Sequence, residues 1–126
     1  MRLWHIDLLP KISTQRLLGQ HRECCAMRGM GWGKKHSVVD YVWRYDYQYL
    51  WEYHLMVIFE LEKRCINIDS KWKRMGYRGK KLGYVDSYLD LPNWTFHIPE
   101  FERYPEHNET YYNECVALLR QKGEDL

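Results

Sequence analysis

A carboxylate, a guanidinium and a residue with no side chain fall on one face of a helix predicted near the start of the chain. In Gln15-Arg16-Leu17-Leu18-Gly19-Gln20-His21-Arg22-Glu23, residues three and four apart become neighbours on a helix, so Gln15, Gly19, Arg22 and Ala26 share a stripe and Glu23 lies beside Gly19. A carboxylate can move protons and a guanidinium can hold phosphate oxygens, which makes this face a candidate active surface. Glycine inside a helix costs about 1 kcal/mol relative to alanine. Close approach by a partner's backbone would compensate for that cost. Taken alone, Arg22 and Glu23 also fit an ordinary solvated helix face.

The elements that must position this surface follow from the apolar periodicity. Leu17, Leu18, His21, Cys24, Cys25 and Arg28 keep helical spacing opposite the glycine stripe, and Gly29 with Gly31 ends the pattern, giving a first helix at 13–28. Gly31-Trp32-Gly33-Lys34-Lys35-His36 reads as a basic loop, followed by a short helical turn at 37–43. Asp46 is placed to cap a long helix at 47–64, with Leu50, His54, Val57 and Leu61 in one stripe and Tyr47, Trp51 and Ile58 widening it. Glu60, Glu62, Lys63 and Arg64 are expected to face water. Residues 67–107 show no sustained period, and Trp72, Tyr77, Tyr84, Tyr88, Trp94 and Phe96 are available to pack that stretch. Asn108 then caps a last helix at 109–122, and Gly123 stops it. The buried side of this helix should carry Tyr111, Tyr112, Cys115, Val116, Leu118 and Leu119. The expected fold is all-α, a compact single domain over 1–126 with three main helices and a long irregular aromatic-rich segment before the last.

Composition narrows the partners. At 126 residues and 45% hydrophobic content the chain can bury one core. No apolar run reaches the roughly 20 residues of a membrane helix, and the expectation is a cytoplasmic monomer. Cys24, Cys25, Cys65 and Cys115 form no CxxC pair, so reduced and mostly buried thiols are expected rather than a disulfide framework. The net charge of +2 conceals a division, because through Lys81 sixteen Lys and Arg stand against eight Asp and Glu, and from Leu82 onward three stand against nine. The basic part can face a polyanion while the rest stays acidic. Its densest stretch, 71–81, holds six cations and two aromatics without an acid, suited to phosphates and exposed bases but also to plain surface. Lys34, Lys35, Lys71, Lys73 and Arg78 are the candidate duplex contacts. His21, Cys24 and Cys25, with Cys65 or Cys115, could supply metal ligands, but the spacing matches no zinc pattern and the expectation is no metal. Tyr41, Tyr45, Tyr47, Tyr49, Tyr53 and His54 are read as structural.

The chain resembles the pyrimidine-dimer DNA glycosylases, the phage endonuclease V-like family, and a bacterial branch of it. The likeness rests on Gln15, Leu17 and Arg22-Glu23, on His36, on Lys63-Arg64 with Asn67-Ile68, and on Tyr104, Pro105 and His107. The chain shares with that branch the strings LLGQHRE at 17–23 and GWGKKH at 31–36. The resemblance implies a DNA repair enzyme acting on damaged double-stranded DNA as a glycosylase and abasic-site lyase, without metal or diffusible cofactor. In that family the N-terminal α-amine attacks the sugar of the damaged nucleotide and a glutamate supports the chemistry, which points to Met1 and Glu23 with Arg22. Arg2 is too bulky for ready removal of the initiator methionine, so Met1 should supply the amine, whose ordinary pKa of about 7.7–8.0 leaves part of it nucleophilic at neutral pH. Arg2, Gln15, Gly19, His21 and His36 then join the lysines and Arg78 as the implied DNA-binding set. The aromatic and basic tail of the phage enzyme has no counterpart, and two of its basic positions fall near Ala117 and Gln121. A non-catalytic nucleic-acid-binding module, or a lyase for other lesions or plain abasic sites, is the competing expectation.

Overall fold

Three amphipathic helices frame the core of the structure, a computed structural model that describes residues 2–31, 40–84 and 103–126. Helix α1, Thr14–Ala26, starts where the Ser13 hydroxyl accepts from the Arg16 amide at 3.3 Å, satisfying one of the donors a helix start leaves open. It buries Leu17, Gln20 and Cys24 and leaves Gln15, Arg22 and Ala26 in solvent. The predicted end at 28 is not a simple stop. The chain winds on through a π turn, Met27–Gly31, which carries Arg28 into the interior.

Helix α2, Tyr47–Lys63, is the central element and buries ten residues, from Tyr47 to Leu61. Asp46 occupies its N-cap position, yet its side chain makes no capping bond, a departure from expectation. A second departure concerns the far end. Glu60 and Arg64 are paired at 2.9 Å, and Arg64 also donates to Thr14 Oγ1 and to the carbonyls of Leu9 and Pro10. These carbonyls close the segment ahead of α1 and have no partner of their own there, so the guanidinium fork serves as a clasp instead of a solvated head.

Helix α3, Glu109–Gln121, begins at Asn108, whose Oδ1 accepts from the Tyr111 amide at 2.9 Å, and ends at Gly123 with φ +97°. It buries Cys115 and Leu119 against the core. Short 3-10 turns at Ile6–Leu8, Asp40–Arg44 and Ser70–Lys73 link the helices, and no strand occurs among the described residues. Of the irregular segment, 67–84 and 103–107 are described, and there Trp72 meets Tyr77 edge to face and Tyr77 packs at a tilt against Tyr84. Tyr88, Trp94 and Phe96 lie outside the described residues. His107 knits the start of the chain to this region: its Nδ1 accepts from the Ile6 amide at 3.1 Å and its Nε2 meets the Tyr41 hydroxyl at 2.9 Å. Burial holds its pKa down to about 3. All four thiols are free, with Cys24 and Cys115 buried and Cys65 exposed against expectation.

Candidate active site

Gln20 is what brings the start of the chain to α1. It sits between Leu17 and Cys24 on the buried side and is 1% exposed, so its amide must be satisfied inside the protein. Its Oε1 accepts from the Trp4 amide at 2.8 Å, and its Nε2 donates to the Arg2 carbonyl at 3.0 Å. The Tyr53 hydroxyl donates to the Trp4 carbonyl at 2.6 Å, and Tyr111 donates to that of Leu3 at 2.5 Å. An extended leader is therefore fixed between α1, α2 and α3. Sequence reasoning passed over Gln20, although a polar residue inside an apolar stripe was the available signal.

This arrangement delivers the Arg2 amide to Glu23, with N–H to Oε2 at 3.2 Å. The Arg2 guanidinium reaches Glu114 at 3.4 Å and lies over Trp4 and Tyr111. Beside Glu23 opens a groove of about 860 Å³, walled by Arg2, Trp4, Gln15, Gly19, Arg22 and Glu23 on one side and by Leu118, Lys122 and Glu124 on the other. Ser13, Arg16 and Glu124 close one end of it: the Glu124 carboxylate takes the Ser13 amide and hydroxyl and Arg16 Nε at 2.7–2.9 Å, which lowers its pKa despite partial desolvation. Of the residues expected on the active face, Arg2, Gln15, Gly19, Arg22 and Glu23 share this groove, while Met1 lies outside the described residues. A Cβ built on Gly19 would meet only the Arg22 side chain, at 3.8 Å, an ordinary contact. Nothing in the fold itself demands glycine there.

The comparison with known families bears on this groove, since it covers both the leader and α1. Residues 1–74 match the family model described as pyrimidine dimer DNA glycosylase. The chain belongs to that family. DNA is the substrate that membership in the pyrimidine dimer glycosylases implies. Comparison with curated proteins and with solved structures gives no match. No helix among the described residues is long and apolar enough to cross a membrane.

In this glycosylase-family chain the remaining expected contacts separate. His21 does not line the groove. It turns toward α2, its Nδ1 2.8 Å from His54 Nε2, with Cys25 Sγ within 3.6–3.9 Å of both rings. The ligand atoms of these three lie within 4.8 Å of one another, close enough to share a metal ion. In this arrangement the Arg28 contact at 2.8 Å makes His54 Nδ1 an acceptor, because arginine can only donate, and the neutral His54 keeps its proton on Nε2, toward His21. Burial pushes the Cys25 thiol up to about 12, against the pull of the Arg28 charge. The trio forms a hydrogen-bond relay.

Arg28 is fully buried and directs all five of its N–H groups to partners: Tyr47 Oη, His54 Nδ1, and the carbonyls of Trp72, Arg74 and Tyr77, at 2.6–2.9 Å. It thereby holds the basic segment against α1. Arg78, expected as a duplex contact, is buried as well, its guanidinium 3.7 Å from the Tyr47 ring centroid and donating to the Arg28 carbonyl. Its guanidinium, 8% exposed, is engaged inside the fold and not turned out to solvent. Lys73 lies 2.8 Å from Glu62 with its side chain 16% exposed and is likewise committed within the fold. Lys71 is exposed. Lys34, Lys35 and His36 lie outside the described residues.

Proposed function

We propose that the groove takes the backbone and a displaced nucleotide of damaged double-stranded DNA, and that the leading α-amine of Met1 performs glycosylase and abasic-site lyase chemistry against Glu23. The supporting observation is the Arg2 amide at 3.2 Å from the Glu23 carboxylate, one residue from the chain's first nitrogen. In this reading the amine's lone pair attacks C1′ as the C1′–base bond breaks with its electrons leaving on the base, which takes up a proton. The amine then loses a proton, and its lone pair forms the C1′=N bond as the C1′–O4′ bond breaks and O4′ is protonated, giving a ring-opened iminium. Glu23 stabilises the positive charge that develops on the sugar, then removes a proton from C2′ so that the 3′ phosphate leaves by β-elimination. Arg22 holds phosphates beside the reacting sugar, and Arg2, paired with Glu114, adds positive charge to the same wall. Gly19 leaves room for the strand, and Gln15 contacts its backbone. The sugar carbon is shielded inside a regular duplex, so the nucleotide must be turned out of the stack and the duplex bent.

Borohydride trapping of the protein with a free Met1 amine, on ultraviolet-irradiated and on abasic oligonucleotides, tests this directly. A covalent adduct on both is the expected result. An adduct on abasic DNA alone assigns the chemistry to a different lesion, and an adduct on neither leaves a binding module. Glu23→Gln should lose strand cleavage while still binding the duplex, and undiminished cleavage by that variant removes Glu23 from the mechanism. A tag ahead of Met1 converts the amine to an amide and should abolish trapping.

A further inference from the structure

The basic segment ends in a tight turn whose construction the groove chemistry does not use. Gly79 and Gly83 both take positive φ, +101° and +64°, and two backbone bonds close the turn, Arg78 N–H to the Gly83 carbonyl at 2.8 Å and Gly83 N–H to the Gly79 carbonyl at 2.7 Å. Its base is tied down on three sides. Arg28 clasps the Trp72, Arg74 and Tyr77 carbonyls, Trp72 lies under Gly79 at 3.5 Å from where a Cβ would stand, and Tyr77 pairs with Tyr84 across an antiparallel bridge with ring centroids 5.2 Å apart. On this rigid mount stand Leu82 and Tyr84, 50% and 49% exposed, the large hydrophobic side chains most open to solvent among the described residues. Lys80 and Lys81 immediately before Leu82 are exposed as well, as is Lys71 beside Trp72.

An apolar tip on a tied-down base, preceded by two exposed lysines, has the chemistry of a wedge for stacked bases, since the lysines attract phosphates while the apolar groups occupy the gap between two base steps. The geometry points to Leu82 and Tyr84 as a wedge that enters the bent duplex beside the lesion. This rests on the reading of the groove as the DNA site. A Cβ on Gly29 would come within 3.0 Å of the Arg78 carbonyl, so the base of the turn packs on the π turn six residues beyond Glu23. The turn is thus anchored on the same helix-and-turn unit that carries Glu23, and the wedge helps hold the bend that exposes the displaced nucleotide.

Permanganate oxidation of thymines, which reads unstacking, tests this on a duplex carrying a tetrahydrofuran abasic analogue that no lyase can cleave. The protein should make thymines hyperreactive at a step beyond those next to the analogue. In the Leu82→Ser, Tyr84→Ser double variant that remote signal should vanish and duplex affinity fall about tenfold, while reactivity next to the analogue persists. Tyr84→Phe should restore the signal, and Lys80→Ser with Lys81→Ser should weaken affinity but keep it. An unchanged footprint in the double variant overturns the wedge. So does a melting temperature well below that of the parent, which means the tip is covered by the protein's own chain. Trapping by the double variant on a single-stranded abasic oligonucleotide, where nothing needs unstacking, should match the parent. Failure of the parent itself to trap there counts against the groove chemistry, separately from the footprint.

Discussion

The two faces of α1 treat polar groups in opposite ways. Its inward face, with the π turn that continues it, draws His21 and Arg28 into a network in which the donors of Arg28 are all engaged. Its outward face keeps Gln15, Arg22 and the open space over Gly19 toward a solvent groove. A buried donor without a partner is costly, so the inward face is fixed by the fold. The outward face is free to meet a ligand. One helix can hold both because their residues interleave at helical spacing, and damage to one face need not reach the other.

The largest separation of the faces should come from Arg28→Met. Three carbonyls and a histidine lose their donor, and the loss should be at least about 3 kcal/mol, read from the urea midpoint. A loss under 1 kcal/mol would mean that the network is ornamental to the fold. On the opposite face, Glu23→Gln should lower single-turnover strand cleavage by about 10²–10⁴ with an unfolding midpoint close to the parent's. A large shift of that midpoint would erase the contrast.

Acid should strike the core before the groove. His54 and His107 are neutral in the folded protein, both held below 6.5 first by burial, His107 to about 3. The unfolded chain takes up these protons near 6.5, so the stabilisation is complete above that pH and is lost as pH falls from there toward 3. His107 alone should cost about 2–3 kcal/mol by pH 4.5. His107→Gln, measured across the same range, should flatten the slope. The smallest effect sharpens the comparison most: Gly19→Ala should raise stability by about 1 kcal/mol, because the fold has room for the methyl, and should still weaken duplex binding. If stability and binding rise together, the space over Gly19 serves no strand.

Much of the outward face could be read from sequence, because Gln15, Gly19, Arg22 and Glu23 are local and helical spacing alone aligns them. The ends at Asn108 and Gly123 were legible for the same reason, each being a property of a few adjacent residues. The inward face was not. Three of Arg28's partners are main-chain carbonyls at Trp72, Arg74 and Tyr77, and a carbonyl leaves no trace in residue identity. Arg78 and Lys73 looked like free cations in a basic run, and only tertiary packing against Tyr47 and Glu62 engages them. Arg64 was misread likewise, since its acceptors lie more than fifty residues away at Leu9 and Pro10.

Gln20 grips main-chain atoms at positions 2 and 4, never their side chains. It acts as a length gauge. Evolution can rewrite the residues it measures without moving the strand, whereas inserting or deleting a single one ahead of Trp4 changes which atom arrives at the acid. The opening of the chain is thereby tolerant of spelling and intolerant of miscounting.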